Sequence, residues 1–239
     1  MRKQVGIKVM RKTQDIDYRK LINAVVLRYV LAAIVYGLIF FVTAGTIRYW
    51  EAWVYMGILF IPMLFVFIYL LKNNPELLER RLRIRETQKP QKLIIVLSIF
   101  AFLLAFIIPG LDHRFGWSTV PVAVVIIADI IALAGYSIFF LVIKENEYAS
   151  RVIEVEKDQK VISTGPYAVV RHPMYLGASL MYLLSPIALG SFWAVIAFLP
   201  LPVLLVLRIF NEEQVLAKEL PGYKAYMKKV KYRLIPFIW

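Results

Sequence analysis

The residues best suited to chemistry lie in one short stretch, 164–177, which immediately precedes an apolar run. It reads Thr-Gly-Pro-Tyr-Ala-Val-Val-Arg-His-Pro-Met-Tyr-Leu-Gly and holds one of the two histidines of the chain. Within it, Pro173 favours an extended His172 and suits the first position of a following helix. The free N–H groups of that helix and the Arg171 guanidinium favour an anionic group, and the two flanking tyrosines offer faces to a cation. The alternative is an ordinary interfacial anchor of a membrane helix.

A second polar group, residues 208–213, follows a later apolar run. Arg208 and Glu212 are four residues apart, so on a helix they share one face. Glu212 and Glu213 point about 100° apart, so at most one of them faces a given ligand atom while the other meets solvent or a cation. Alone, this pattern is equally typical of a surface ion pair. If a hairpin brings the two segments together, their acidic and basic groups could bind a zwitterion.

The composition indicates a membrane protein. The chain has 239 residues, of which 60% are hydrophobic, and a mean hydropathy of +0.67, values above those of a soluble domain. It has no cysteine and two separated histidines, which excludes disulfides and a cysteine nucleophile and predicts no metal site. Its formal charge of +13 lies in blocks between apolar runs, which favours orientation in a membrane over nucleic-acid binding.

Six apolar runs have lengths near what a bilayer core of about 30 Å requires. They are 24–43, 52–71, 93–109, 120–143, 174–189 and 191–207. The sequence therefore predicts an all-α integral membrane protein with about six transmembrane helices. The last two runs are short, contain prolines and meet at 189–191, which predicts a tight helical hairpin.

Polar segments flank this hairpin on both sides. Before it, the Val-Ile-Glu-Val alternation at 152–155 indicates a short extended segment. After it, Asn211 is expected to cap a polar helix over 212–220, and Pro221-Gly222 to separate that helix from a second one over 223–230. This basic, aromatic tail is expected to form an interfacial helical tail on the membrane surface.

Charge predicts the orientation of the chain. The segments that share a side with both termini hold 26 of the 29 basic residues, so both termini and both motifs are expected in the cytoplasm. In a prokaryote this would be the plasma (inner) membrane. We divide the chain into a basic N-terminal segment with a four-helix scaffold, 1–143, and a motif-bearing region, 144–239. Asp129 lies in the middle of the fourth run. We favour a structural role for it over a functional one, because no partner can be identified.

At these motifs the chain resembles the isoprenylcysteine carboxyl methyltransferase family and its phospholipid N-methyltransferase relatives. The pattern Gly-x-Tyr-x-x-x-Arg-His-Pro-x-Tyr-x-Gly is met at 165–177, and Arg-x-x-x-Glu-Glu-x-x-Leu is met at 208–216. The Gly-Tyr-x-x-Tyr at 222–226 and the Tyr-Arg-Leu-Ile-Pro at 232–236 are also similar to the family's ending. The resemblance covers 144–239, and the first 120 residues match only as a hydrophobic scaffold.

The resemblance implies a methyltransferase that binds S-adenosylmethionine in a cytosolic pocket at the terminal hairpin. Carried over by position, the cofactor-binding residues are Gln159, Lys160, Val161, Ile162, Tyr167, His172, Pro173, Met174, Tyr175, Glu212 and Glu213. Arg208 and Arg171 are the expected catalytic residues, and Arg208 and Asn146 are expected to bind the acceptor. The implied acceptor is lipophilic, foremost an isoprenylcysteine-type carboxylate, with a phospholipid amine or a small thiol as alternatives. Membrane lipids are the other expected partner.

Two functions of other classes stay open on the sequence. An NADPH-dependent membrane reductase of the sterol-reductase type has a similar Tyr-Arg-x-Ile-Pro ending, and a non-enzymatic carrier could use Asp129 along a pathway. The Arg-His-Pro step followed by Glu212-Glu213 favours the methyltransferase. Methyl transfer from a sulfonium is an in-line displacement that depends on orientation and electrostatics, so a catalytic triad is not expected.

Overall fold

A computed structural model describes residues 16–82, 89–149, 153, 155–156 and 158–239. Its helices are α1 (Tyr18–Ala44), α2 (Trp50–Asn73), α3 (Pro75–Leu82), α4 (Lys89–Phe115), α5 (Val122–Glu145), α6 (Pro173–Tyr182), α7 (Ser185–Ala188), α8 (Trp193–Phe198), α9 (Pro200–Glu219) and α10 (Tyr223–Lys229). A 3₁₀ turn, Gly165–Ala168, precedes α6. The described residues contain no strand, and the predicted all-α membrane fold is confirmed.

In the part of the chain that the structure describes, five helices are long and apolar enough to span a membrane: α1, α2, α4, α5, and α8 together with α9 over Trp193–Glu219. The predicted fifth helix differs, because the apolar segment Pro173–Ala188 is shorter and is broken between α6 and α7. Pro186 lies in the first turn of α7, where it starts a new helix because it cannot donate to a carbonyl of the preceding turn. The predicted count of six therefore becomes five long helices and one broken segment.

The turn of the hairpin is tied to the far ends of the long helices. The Tyr49 hydroxyl donates to the carbonyl of Leu189 at 2.5 Å, and the Ser191 hydroxyl donates to Asp112 at 2.5 Å. Asp112 is buried and also accepts from the backbone N–H and hydroxyl of Ser118, at 2.7 and 2.6 Å. Gly190 reverses the chain there with φ 70°. The hairpin therefore extends along the bundle, and its motif-bearing start lies at the opposite end.

Two glycines let α6 lie directly against α5. A Cβ atom added to Gly135 would lie 2.6 Å from the carbonyl oxygen of Gly177, and one added to Gly177 would lie 2.8 Å from that of Gly135. Backbone meets backbone at this crossing, so any side chain would push the helices apart. Gly177 is also the last residue of the 165–177 motif, so this contact fixes the motif next to the end of α5.

The structure corrects the prediction for the end of the hairpin. Asn211 does not cap a separate helix, because α9 continues without a break from Pro200 to Glu219. No glycine or proline interrupts 203–220, and Ile209 and Glu213, four residues apart on one face of the helix, are both buried. The second short helix is confirmed as α10. The predicted extended segment at 152–155 includes two residues outside the described ones.

Replacing Gly177 with alanine tests the close crossing. Gly177→Ala is expected to lower the free energy of unfolding by about 1–3 kcal/mol, because the new methyl group overlaps backbone that cannot move aside. Gly57→Ala is the matched control, since the nearest atom to its added Cβ is the end of the Ile61 side chain at 3.9 Å. Denaturation in detergent measures both variants. Equal losses would contradict the crossing.

Candidate functional site

A cavity lies where the motif, α9, α10 and the segment after α5 meet. Its empty space, counted together with the adjoining open solvent, is about 840 Å³. We call it the site cavity. The predicted site residues that line it are Asn146, Gln159, Lys160, Val161, Ile162, Tyr167, Arg171, His172, Met174, Tyr175, Arg208 and Glu212. Pro173 and Glu213 were also predicted but are not among its lining residues.

The motif reaches the cavity in the conformation expected from its sequence. Pro173 occupies the first turn of α6, and His172 precedes it with φ −123°. The backbone N–H groups of Arg171 and His172 donate to the carbonyls of Tyr232 and Arg233, at 2.9 and 2.8 Å. The C-terminal tail therefore supplies hydrogen-bond acceptors for the two backbone N–H groups that precede α6, and it holds the motif beside the cavity.

A buried carboxylate joins the motif, α9 and the tail. Glu213 accepts from Arg171 Nε at 2.6 Å and His172 Nε2 at 3.2 Å through one oxygen, and from Arg233 Nε at 2.9 Å through the other. We call these four side chains the Glu213 cluster. Because an ionised carboxylate only accepts, His172 must carry its proton on Nε2. Burying this charge is tolerated because three donors surround it.

The cluster shows what holds two of the predicted residues in place. Arg171 is buried, and besides its bond to Glu213 its Nη1 donates to the carbonyls of Val230 and Lys231, each at 2.9 Å. Arg171 and Glu213 thus hold segments of the protein to one another. The catalytic role predicted for Arg171 and the cofactor-binding roles predicted for Glu213 and Pro173 stay predictions. The structure adds that Arg171 and Glu213 hold these segments together and that Pro173 occupies the start of α6.

A hydrogen-bonded chain crosses the cavity wall between α4, α9 and α6. Arg208 donates from Nε to the Tyr175 hydroxyl at 2.8 Å and from Nη1 to Gln91 at 2.9 Å. The Tyr175 hydroxyl in turn donates to Glu212 at 2.5 Å. Arg208 and Glu212 therefore share one face of α9, as their spacing predicted. Glu212 lines the cavity while Glu213 meets cations, which is the division expected from their 100° separation.

Tyrosines form much of the remaining wall: Tyr148, Tyr167, Tyr175, Tyr223 and Tyr226. Burial raises the pKa of Tyr167 to about 12 and also raises the pKa of Tyr223 and of Tyr226, so these rings stay neutral. The Tyr167 hydroxyl accepts from Asn146 at 2.8 Å, and Tyr226 donates to the Tyr167 carbonyl at 2.8 Å. The buried Tyr223 hydroxyl has no hydrogen-bond partner among the described residues.

Several lining residues were not predicted from the sequence. Leu216 and Leu220 follow Glu212 at intervals of four, and helical spacing could have indicated them. The 222–226 pattern contains Tyr223 and Tyr226 but carried no assigned role. No sequence signal pointed to Tyr148, Ala149 or Ile153, which lie in an irregular segment.

Helix α3, which was not predicted, holds that segment in place. Arg80 donates to the carbonyl of Glu147 at 2.6 Å, and Arg81 donates to that of Ala149 at 2.7 Å. The Arg81 guanidinium also lies 4.9 Å from the centre of the Phe139 ring and 3.9 Å from the sulfur of Met174. The N-terminal half therefore supplies polar groups that support the cavity.

Asp129 lies outside the site cavity. It is buried in α5, and neither of its carboxylate oxygens has a hydrogen-bond partner in the described part of the chain. Among the described residues, no group of three or more His, Asp or Glu side chains could hold a metal ion. The chemistry available at the cavity is therefore that of one carboxylate, two guanidinium groups, one ammonium group, an imidazole, two side-chain amides and the tyrosines.

The region that builds the cavity is similar to a known family. Residues 122–221 match the family model described as phospholipid methyltransferase, a range that runs from the first residue of α5 to the second residue after α9. A comparison with curated proteins finds no match. The family match and the five apolar helices indicate an integral membrane methyltransferase. Gln91, α3 and the C-terminal tail contribute to the site from outside the matched range.

The adjacent glutamates should differ in what they stabilise. Glu213→Gln is expected to lower the free energy of unfolding by about 3 kcal/mol, because it leaves the buried Arg171 without its counter-charge. Glu212→Gln is the matched control, because it makes the same change at the adjacent glutamate. It is expected to lower the free energy of unfolding by less than half as much. Thermal unfolding of the two purified variants measures the difference. Equal stability losses would contradict the Glu213 cluster as the structural centre.

Proposed function

We propose that the site cavity binds S-adenosylmethionine and that the protein methylates a lipophilic acceptor at the membrane interface. The observation that carries this proposal is the meeting of the two motifs at one cavity, which is lined by the Glu212 carboxylate together with several tyrosines. The match of 122–221 to a methyltransferase family supports the same reaction class.

The lining residues fit the parts of this cofactor. Neutral tyrosine faces attract a sulfonium and stack on a flat base, and Glu212 suits an ammonium group. The buried Tyr223 hydroxyl, which has no partner in the described part of the protein, is the kind of polar atom that a ligand satisfies. Gln159 and the two residues after it could contact the adenine or ribose. When bound, the cofactor supplies an electrophilic methyl group on a positively charged sulfur.

The protein's own contribution to the reaction is orientation and electrostatics. His172 and Arg171 are held by Glu213 and by the tail, so the motif is rigid before any ligand arrives. Tyr175 and Glu212 are likewise fixed by hydrogen bonds to each other. Preorganised groups of this kind lower a barrier without a proton transfer, which agrees with a displacement that needs no general base.

Arg208 favours a carboxylate as the acceptor group. Its guanidinium lies between Tyr175 and Gln91 at the cavity wall, on the helix that leads into the apolar bundle. A lipid acid entering between helices would meet it there, and Asn146, which also lines the cavity, offers a further polar contact. An isoprenylcysteine-type carboxylate is therefore the first acceptor in our proposal. The family match favours a phospholipid amine as the second.

The cavity is less suited to NADPH than to S-adenosylmethionine. Glu212 would repel a phosphate, and the Nε and Nη1 atoms of Arg171 are already bonded inside the protein. A non-enzymatic carrier would use Asp129 along a pathway, and Asp129 does not line the site cavity. By the positive-inside rule, the site and both termini would face the cytoplasm, in the inner membrane of a prokaryote.

Methyl transfer can be tested directly with purified protein and S-adenosylmethionine labelled in the methyl group. The acceptor panel contains a prenylated cysteine carboxylate, a phospholipid amine, a small thiol and an unrelated lipid acid. We expect label in the prenylated carboxylate above all. Binding of NADPH without affinity for S-adenosylmethionine would contradict the proposal in favour of a reductase.

Removing the unpartnered hydroxyl separates binding from stability. Tyr223→Phe is expected to leave the free protein as stable as before or slightly more stable, because an unsatisfied buried hydroxyl is removed. Affinity for S-adenosylmethionine is expected to fall about three- to tenfold through the loss of one hydrogen bond. Calorimetric titration and thermal unfolding measure the two effects. Unchanged affinity would place the cofactor away from Tyr223.

Charge removal at Arg208 tests the acceptor class. Arg208→Gln is expected to reduce kcat/KM for a carboxylate acceptor about 10- to 100-fold, because a charge-assisted hydrogen bond is lost. Arg208→Lys keeps the charge and should retain part of the activity. The affinity for S-adenosylmethionine should change less than kcat/KM. Full activity of Arg208→Gln would exclude this role.

A further inference from the structure

The C-terminal loop presents apolar side chains outward. Phe237 is 85% exposed, Ile238 77% and Ile235 42%. The loop closes on itself, because the N–H groups of Leu234 and Ile235 donate to the carbonyl of Trp239, at 2.8 and 3.0 Å. We call residues 234–239 the tail loop. Large apolar side chains in a hydrogen-bonded loop are not the pattern of a solvated surface.

The backbone of the tail loop is strained at its most exposed residue. Phe237 has φ 65°, a left-handed conformation that is costly for a bulky side chain. The closed hydrogen bonds hold this conformation. The Phe237 ring packs against the Tyr232 ring with centres 5.4 Å apart, yet the residue remains 85% exposed. A strained apolar residue that is left so exposed indicates a contact with something outside the described protein.

The position of the loop shows what it contacts. The Trp239 ring packs edge to face on Phe210 with ring centres 5.8 Å apart, and the Arg233 guanidinium lies 5.1 and 5.4 Å from the centres of these two rings. Phe210 is an exposed apolar residue of the membrane-spanning segment Trp193–Glu219, three residues before Glu213. The tail loop therefore lies at the level where the apolar surface of α9 gives way to polar residues.

The chain beside the loop carries only positive charge. Residues 220–239 contain five basic side chains and no acidic one. Lys224, Lys228, Lys229 and Lys231 are all exposed, on α10 or directly after it. Basic side chains next to a membrane surface attract anionic headgroups, and an apolar loop between such residues and a membrane helix matches the boundary of a leaflet.

We propose that the tail loop inserts Ile235, Phe237 and Ile238 into the leaflet on the site side, and that the adjacent lysines bind anionic phospholipid headgroups. The contact lies next to the Glu213 cluster, because Arg233 bonds Glu213 and the carbonyls of residues 232 and 233 hold the motif. Lipid docking of the tail therefore stabilises the segment that closes one side of the site cavity. This holds whichever reaction the cavity performs.

The chain has no cysteine, so a single introduced one can carry an environment-sensitive fluorophore. Phe237→Cys labelled with nitrobenzoxadiazole reports on the loop, and Glu219→Cys, at the exposed end of α9, is the aqueous control. Phe65→Cys on the exposed face of α2 is the control within the bilayer. Each protein is placed in vesicles of phosphatidylcholine, with or without phosphatidylglycerol.

We expect spin-labelled acyl chains to quench the probe at 237 but not at 219, and iodide to do the reverse. Replacing Lys228, Lys229 and Lys231 with glutamine should reduce the ratio of inserted to withdrawn loop about fivefold per lysine in anionic vesicles. It should have no such effect in phosphatidylcholine alone. Ile235→Ser with Ile238→Ser should withdraw the probe in both.

Three results would overturn the proposal. The first is iodide quenching at 237 equal to that at 219 in both lipids. The second is a protected probe that is insensitive to the lysine changes. The third is protection that rises with the number of protein copies per vesicle rather than with anionic lipid, which would assign the loop to contact with a second copy.

Discussion

The site depends on one shared carboxylate. Glu213 is 5% exposed and accepts from three N–H donors that come from two other parts of the chain. A buried charge of this kind is tolerable only when all of its partners are present at once. The need for these partners brings together α9, the residues just before α6 and the tail after α10. Of these, α9 and the residues before α6 line the site cavity. The cluster is also what frees Glu212 to face that cavity.

The membrane helices bring these segments to the same place. The glycine crossing of α5 and α6 sets the distance between them, and the buried Asp112 ties the far turn of the hairpin to α4. Polar groups of the N-terminal half complete the site, because Gln91 bonds Arg208 and Arg81 bonds the irregular segment after α5. The scaffold is thus more than a hydrophobic support, although it lies largely outside the family match.

Residue types and spacing predicted most of the side chains that the structure brings together at the site cavity. The i, i+4 relation of Arg208 and Glu212 and the proline after His172 are local rules, and the structure follows them. Which of two adjacent glutamates faces the ligand depends on donors from distant segments, so no local rule could decide it. The partners of Arg171 could not be predicted from local rules either, because its guanidinium donates to main-chain carbonyls of the distant tail.

Helix boundaries, and the irregular segment after α5 that lines part of the cavity, were predicted less well from the sequence. Asparagine is a common N-cap residue, but Asn211 lies inside α9, which continues through it without a break. Helix α3 is short and amphipathic, and it supports the site through hydrogen bonds to residues nearly 70 positions away. Such contacts leave no periodic signal.

The most direct measurement is the position of S-adenosylhomocysteine in an experimental structure of the protein in lipid. The account predicts it in the site cavity, with its amino acid end at Glu212, its sulfur against the tyrosine wall and a contact to the Tyr223 hydroxyl. The Glu213 cluster should be unchanged. A structure in which the ligand binds elsewhere, or in which Glu213 rather than Glu212 contacts it, would contradict the account.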